Sequence, residues 1–309
     1  MSRFSDFGND LYTGSRSIDV VGKRKTWYSI SAVLLAIFLA FSLVKGFNFG
    51  IEFRGGSEFR VAGVTETSQQ LAVDAVKSVV PEQNPLVSNV GTDSIRVQTE
   101  QLSDLESEDV RVALATAYGV NSSDVASSFI GANWGADVTS KALTGLIVFI
   151  ALAAVLMALY FRTLKMSVAA VVALLHDLVI TAGVYALTGF EVTPAAVIGF
   201  LTILGYSLYD TVVVFDKIRE NTLDVEHSET TTFAQQVNYA VNQTLVRSIN
   251  TTVVAVLPVA SILFIGAALL GAGTLRDIAL ALFIGMLIGT YSTIFIAAPL
   301  YSQLREKEP

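Results

Sequence analysis

The sequence predicts a polytopic α-helical membrane protein: six transmembrane helices with one small α+β, ferredoxin-like domain outside the bilayer. Three observations carry this. Of the 309 residues, 52% are hydrophobic and 15% charged, an apolar excess over an ordinary soluble domain. The apolar residues fall into six runs of roughly the 20 residues that cross a ~30 Å hydrocarbon core. Between the first and second runs lies the one polar stretch long enough to fold outside the membrane, residues 47–140, whose acidic side chains outnumber its basic ones. Composition also excludes chemistries. Without cysteine there are no disulfides, thiol nucleophiles, zinc ribbons or iron–sulfur clusters. Two histidines leave little for a metal site, and a net charge of −7 argues against a nucleic-acid surface, which needs a basic stripe.

The elements follow in order. A tail, residues 1–26, carries Arg3, Arg16, Lys23, Arg24 and Lys25. The first span, residues 27–46, holds an uncharged run from Trp27 to Val44; FNFGIEFRGG follows with no small-x-small cleavage site, so it reads as an uncleaved anchor. In residues 47–140 the pattern is extended (56–63), helical (67–80), extended (86–91 and 94–100), helical (103–118) and extended (124–131). That is the β-α-β-β-α-β order of a ferredoxin-like layer. The helices open on the capping boxes Thr67-x-x-Gln70 and Ser103-x-x-Glu106. Gly91 and Asp93 suit a hairpin turn, and Gly55-Gly56 a sharp bend where the chain leaves the membrane. The acidic run Asp104–Asp109 reads as a solvated helix face. The other spans are 141–161, 166–188, 194–215, 246–270 and 275–299, with a loop at 216–245 and a tail at 300–309.

Six spans put both termini on one side. The basic residues of the first tail, Arg162 and Lys165, Lys217, Arg219 and Arg247, and Arg305 and Lys307 all fall on that side. The opposite short loops, 189–193 and 271–274, have none. The positive-inside rule therefore makes both termini cytoplasmic and residues 47–140 extracytoplasmic.

Ionisable residues within spans are costly and ask for a partner, a wet cavity or a function. Asp210 lies about 16 residues beyond Pro194, ~24 Å along a helix axis from the outer boundary. Tyr206 stands one turn before it, after Thr202 and Ile203, while Gly199 and Gly205 allow another helix to approach closely. Burial and a nearby cation act on a carboxyl's hold on its proton in opposite senses, so such a group can gain or lose a proton as its surroundings change. Arg247, at the entrance of the fifth span, either supplies that cation or snorkels to the interface. Ser248, Asn250, Thr251 and Thr252 either hold water or pack small residues between helices. His176 and Asp177, adjacent in the third span, point about 100° apart, so that one bonds a neighbour while the other lines a cavity; they are relay members or structural hydrogen-bond partners. Arg276 and Asp277 fit an outer interface. Asp210, Arg247, Asp177 and His176 are the candidate proton-relay residues; no catalytic, cofactor-binding or metal-binding residue is expected. GxxxxGK[ST], GxSxG and HExxH are absent, so the chain reads as no enzyme.

The segment GYSLYDTVVVFDKIREN (205–221) resembles a hallmark of the SecF branch of the SecD/SecF family of protein-export membrane proteins, in the RND superfamily. FGIEFRGGS (49–57), LLHDLVITAG (174–183), RSINTT (247–252) and TLRDIALALFIGMLIGTYSTIFIAAPL (274–300) resemble further family segments, in order and spacing. The resemblance implies half of an RND-type bundle, completed by SecD and working beside the SecYEG channel, with YajC- and YidC-type accessory proteins and unfolded preproteins as further partners. It implies use of the proton-motive force in late translocation across the cytoplasmic membrane, with Asp210 and Arg247 on the proton path. Tyr209 departs from the family pattern, where asparagine is frequent; its phenol is expected to replace an amide hydrogen bond beside Asp210. The rival readings are a scaffold for SecD that carries no protons, and a small-molecule efflux subunit; the single small outside domain disfavours the latter.

Overall fold

In the computed structural model, residues 3–161, 163–223, 231–266 and 273–306 are described. Arg162, Lys307 and residues 271–272, used in the charge argument above, and residues 267–270 of the fifth predicted span lie outside them.

Among the described residues six helices are long and apolar enough to cross a membrane: α2 (Arg24–Lys45), α6 (Ala132–Phe161), α7 (Leu164–Thr188), α8 (Pro194–Thr222), α9 (Phe233–Ser261), which continues through a wide π-helical turn (Ile262–Gly266), and α10 (Gly273–Ser292), which passes through a second such turn (Thr293–Ala297) into α11 (Ala298–Glu306). α7, α8 and α10 form the buried centre, while α2 and α6 turn mostly exposed apolar side chains outward, among them Val33, Leu43, Ile147, Leu156 and Leu159. A helix hydrophobic over its outer face with no protein against it is what a lipid-facing helix requires.

α8 and α10 run parallel, with contacts offset by 82 residues at each turn. Gly199 faces Ala281, Gly285 faces Ile203, Gly289 faces Ser207, and the Thr211 and Thr293 hydroxyls share a hydrogen bond of 2.9 Å. A Cβ on Gly199 would stand 2.7 Å from Ala281 Cβ, and one on Gly289 3.0 Å from Ser207 Cβ. Small residues at i, i+4 and i+8 let two backbones approach where lipid provides no hydrophobic drive. Gly199 thus behaves as predicted, whereas Gly205 meets nothing within 4 Å and is not a packing position.

The small α+β domain has the predicted order: β2 (Gly56–Ala62), α4 (Gln69–Val79), β3 (Leu86–Val90), β4 (Ser94–Thr99), α5 (Asp104–Tyr118) and β5 (Val125–Ile130). The sheet order β3-β4-β2-β5, all antiparallel, is the ferredoxin-like arrangement. Alternate residues of β2 and β4, Phe59, Val61, Ile95 and Val97, join Val76, Val110 and Leu114 of the two helices in one core. Ser103 and Glu106 form the predicted capping box, but Thr67 does not cap α4: the helix starts one residue later, behind Ser68, with no side-chain cap. Gly91 (φ +70°) turns the β3–β4 hairpin.

Several predicted boundaries move. The tail of residues 1–26 contains α1 (Arg3–Thr13), whose Leu11 is buried in the core at the termini end of the bundle. The span predicted from residue 141 begins at Ala132, because nothing breaks the helix after β5 ends; Gly135 lets it abut α3 (Ile51–Arg54), since a Cβ there would stand 2.6 Å from Phe53 O. The predicted loop 216–245 is largely helix, α8 to Thr222 and α9 from Phe233, because Val237, Ala240, Val241 and Leu245 supply a helical apolar face. Residues 224–230 between them are outside the described set. The final tail is α11 as far as Glu306, which pairs with Arg24 at 2.8 Å, so the described ends of the chain sit at one end of the bundle.

Candidate functional site

One group of the bundle's buried polar residues gathers on one level of α8. Ser207, Asp210 and Thr211 are three and four residues apart, hence on one helical face. Asp210, 9% exposed, accepts a 2.7 Å hydrogen bond from Ser248 Oγ of α9. Its second oxygen, Oδ2, is buried with no hydrogen-bond partner among the described residues. One turn outward, Tyr206 Oη and Thr252 Oγ1 share a hydrogen bond of 3.3 Å, and Thr252 shares another with Thr290 of α10. On the flank facing α7, Ser207 donates to Asp177 Oδ2 at 2.6 Å. Three of the packed helices thus contribute hydroxyls to the carboxylate-bearing level.

Asp177 is 1% exposed. The sequence expectation for it and His176 is half met. Asp177 bonds α8 while His176 lines an apolar groove with Tyr28, Ser31, Leu35 and Ile296, yet the imidazole reaches back, its Nδ1 3.3 Å from Asp177 Oδ1. His176 Nε2 is buried without a partner among the described residues. Adjacent side chains thus meet here although their Cα–Cβ directions differ by about 100°. No hydrogen bond joins Asp177 to Asp210 among the described residues.

Arg247 is exposed and makes no ion pair with Asp210 among the described residues; it lines a vestibule at the termini end with Asp216 and Glu220. The neighbouring Ser248 contacts the acid instead. Of the polar group on α9, Ser248 and Thr252 face inward, four apart, whereas Asn250 and Thr251 are exposed, Thr251 returning its hydroxyl to Arg247 O at 2.8 Å. Tyr209 is 58% exposed and does not partner Asp210, correcting the expectation placed on its phenol: one step along a helix from a buried position turns outward.

Sequence reasoning gave Asp210 and Asp177 but missed Ser207, Thr211, Thr290 and Thr293, whose only signal is their 3–4 spacing. It also left unassigned the attachment of the α+β domain. β1 (Asn48–Phe49) pairs in parallel with β6 (Glu191–Val192) in the α7–α8 connection. Glu191, 6% exposed, pairs with Arg96 of β4 and accepts from Gln98 Nε2 at 2.8 Å. Below it, Asp277 of α10 accepts from Thr193 at 3.1 Å, and Arg276 lies 4.2 Å over the Phe190 ring.

The family profile described as "Protein export membrane protein SecD/SecF, C-terminal" matches residues 110–307, and the "SecD/SecF GG Motif" matches residues 40–62. The chain belongs to the SecD/SecF family. Gly55 and Gly56, within the second match, hold φ of +78° and +139°, backbone that a Cβ disfavours. Among relatives, "Protein translocase subunit SecF" of Streptomyces coelicolor is 43% identical over 312 residues, covering 100% of this chain and 82% of the relative. The Mycobacterium tuberculosis protein of that name is 42% identical, covering 97% of this chain and 70% of its own. The crystal structure of SecDF, a translocon-associated membrane protein from Thermus thermophilus, superposes with a TM-score of 0.83 at 28% identity, over 94% of this chain and 39% of that one. A crystal structure of SecDF in super-membrane-facing form superposes with a TM-score of 0.66 at 28% identity, over 94% of this chain and 39% of that one. This chain therefore spans about two fifths of the solved SecDF. With six apolar helices and these relatives, it is a multi-pass membrane protein of the translocase family.

Proposed function

We propose that the chain is an accessory subunit of the Sec protein-export machinery that, with SecD, uses the proton-motive force to promote late steps of preprotein translocation. Both termini are cytoplasmic, and the outside domain meets unfolded preprotein on the far side. Its partners are SecD, the SecYEG channel and YajC- and YidC-type accessory proteins. It hydrolyses nothing itself.

One observation carries the reading: among the described residues Asp210, buried between helices, is held by a single hydroxyl and has one oxygen unpartnered. A carboxylate so placed is costly to keep charged, and a proton on it removes that cost, so protonation favours some helix arrangements over others. Each charge crossing ~100 mV releases about 2.3 kcal/mol, enough for a few protons to bias a rigid-body movement.

Asp210→Asn keeps the shape and removes titration. In membrane vesicles carrying the variant with its partners, stimulation of secretion by an imposed proton gradient should vanish while SecD still co-purifies. Normal stimulation would refute proton carriage, and loss of co-purification would point to the scaffold reading.

A further inference from the structure

The termini end of the bundle holds a second polar feature. α1 and the segment after it are strapped across α9: Asn238 Oδ1 accepts from the Val20 and Val21 amides at 2.8 and 3.1 Å, Asn242 Oδ1 from the Ile18 amide at 2.7 Å, and Asn242 Nδ2 donates to Ile18 O at 2.9 Å. Tyr239 Oη and Gln243 Nε2 both donate to Tyr12 O, at 3.2 and 3.3 Å. The strap fixes Tyr12 as one wall of a vestibule of about 350 Å³, whose other walls are Asp216, Lys217, Glu220 and Arg247 and whose deeper lining includes Val213 and Thr244. One water needs ~15 Å³, so this space has room for several of them. Val213 is three residues, about 4.5 Å of helix rise, beyond Asp210. Thr244 is one turn before Ser248, the residue bonded to Asp210. The vestibule floor is therefore the next layer below the buried acid.

We propose that this vestibule is the aqueous port through which Asp210 exchanges protons with the compartment holding the termini, with Asp216 and Glu220 the carboxylates that collect or disperse the proton at its mouth. The inference rests on the proton-carrier reading above and names its exit. The groups around the port are mixed in sign. Asp216 accepts a 2.9 Å hydrogen bond from Tyr160 of α6, Lys217 pairs with Glu220 at 2.9 Å, Arg219 follows on the same helix, and Arg247 faces the port from α9. Carboxylates at the rim concentrate hydronium locally, while the exposed Arg247 cation in the same wall opposes entry of other cations. The step moves one proton between a water and a carboxyl oxygen and requires no other reactant.

The absence of native cysteine allows a direct test in the assembled complex. Val213→Cys in vesicles should react with a charged, membrane-impermeant thiol reagent added to the termini side, and the modified protein should lose proton-driven translocation; an unreactive thiol would overturn the port. Asp216→Asn with Glu220→Gln, in which Asn still accepts from Tyr160, should lower gradient-driven translocation severalfold and flatten its dependence on the pH of the termini-side compartment. An unchanged rate and pH profile, in vesicles where Asp210→Asn abolishes stimulation, would overturn the port while leaving the proton carrier intact. If Asp210→Asn itself had no effect, the carrier and the port would fall together.

Discussion

Individual carboxylates are where this chain concentrates its electrostatic cost. Outside the membrane helices, Glu52 of α3 shows the effect. Burial pushes its carboxyl above the ordinary 4.5; a backbone hydrogen bond pulls it back, Glu191 and Glu58 raise it further, and Arg96 opposes them. Because the folded value is raised, the contribution of this group to stability is fully present below pH 4.5 and is lost as pH rises through the folded value. Glu52→Gln should therefore unfold at a higher temperature than the parent near neutrality and lose that advantage below pH 4.5, in thermal denaturation of the solubilised chain. An equal difference at both pH values would dismiss the account. Glu106 runs the other way: the Ser103 amide and then the Ser103 hydroxyl hold its carboxyl below the usual range, so its contribution is present at neutral pH and fades only in acid.

At the level of helices, the parallel α8–α10 seam decides whether the hydroxyl pairs meet. Gly285→Leu would drive a side chain into Ile203, whose branched Cβ has one preferred rotamer in a helix; overpacking of this kind costs about 1–3 kcal/mol or more. The variant should denature at lower temperature, whereas Gly205→Ala, with open space around it, should be neutral or slightly stabilising. Equal behaviour of the two would mean that the seam is not what joins these helices. The contrast shows how far the sequence could be read. Spans were legible because apolar length is a one-dimensional signal, and the ferredoxin-like order because alternation and helical periodicity differ sharply. Asp210 was legible because a charge in a greasy run has few bland explanations. Which glycine packs was not, since Gly199, Gly205 and Gly285 look alike until a neighbour is placed. Nor was the choice of hydroxyls. Thr202 and Thr251 satisfy themselves on carbonyls four residues back, Thr211 and Thr290 do the same and also bridge helices, and no sequence spacing separates the two cases. Arg247 was legible as a charge either beside Asp210 or at the interface, but not which of the two, because that depends on which way the fifth helix is rotated.

Across the whole molecule, any movement of the α+β domain must pass through its attachment to the bundle. Besides the continuous chain of α6 and the packing of α3, that attachment includes the two-residue β1–β6 pairing, the Asn48 side-chain amide that donates to Gly189 O at 3.4 Å, and the Glu191 carboxylate, which Arg96 and Gln98 of β4 grip from the domain side. Glu191 lies in the connection that leads through Thr193, the N-cap of α8, to Asp277 of α10, so the domain is fastened to the two helices that form the α8–α10 seam below. Removing one partner from such a pair leaves the other charge half-buried and uncompensated, a loss of ~3–5 kcal/mol for fully buried pairs and less here, where the arginine side chain is 25% exposed. Glu191→Ala should therefore loosen the docking without unfolding the domain, whose own core does not include Glu191. Hydrogen exchange should accelerate at the Gly50 amide, which donates to Val192 O at 3.0 Å, while amides of β2 and β4 keep their protection. Under the proposed function the same variant should uncouple proton-driven translocation from the bundle while labelling at the termini-side port persists. Protection at Gly50 equal to that of the parent would show that the fastening lies in the helices alone.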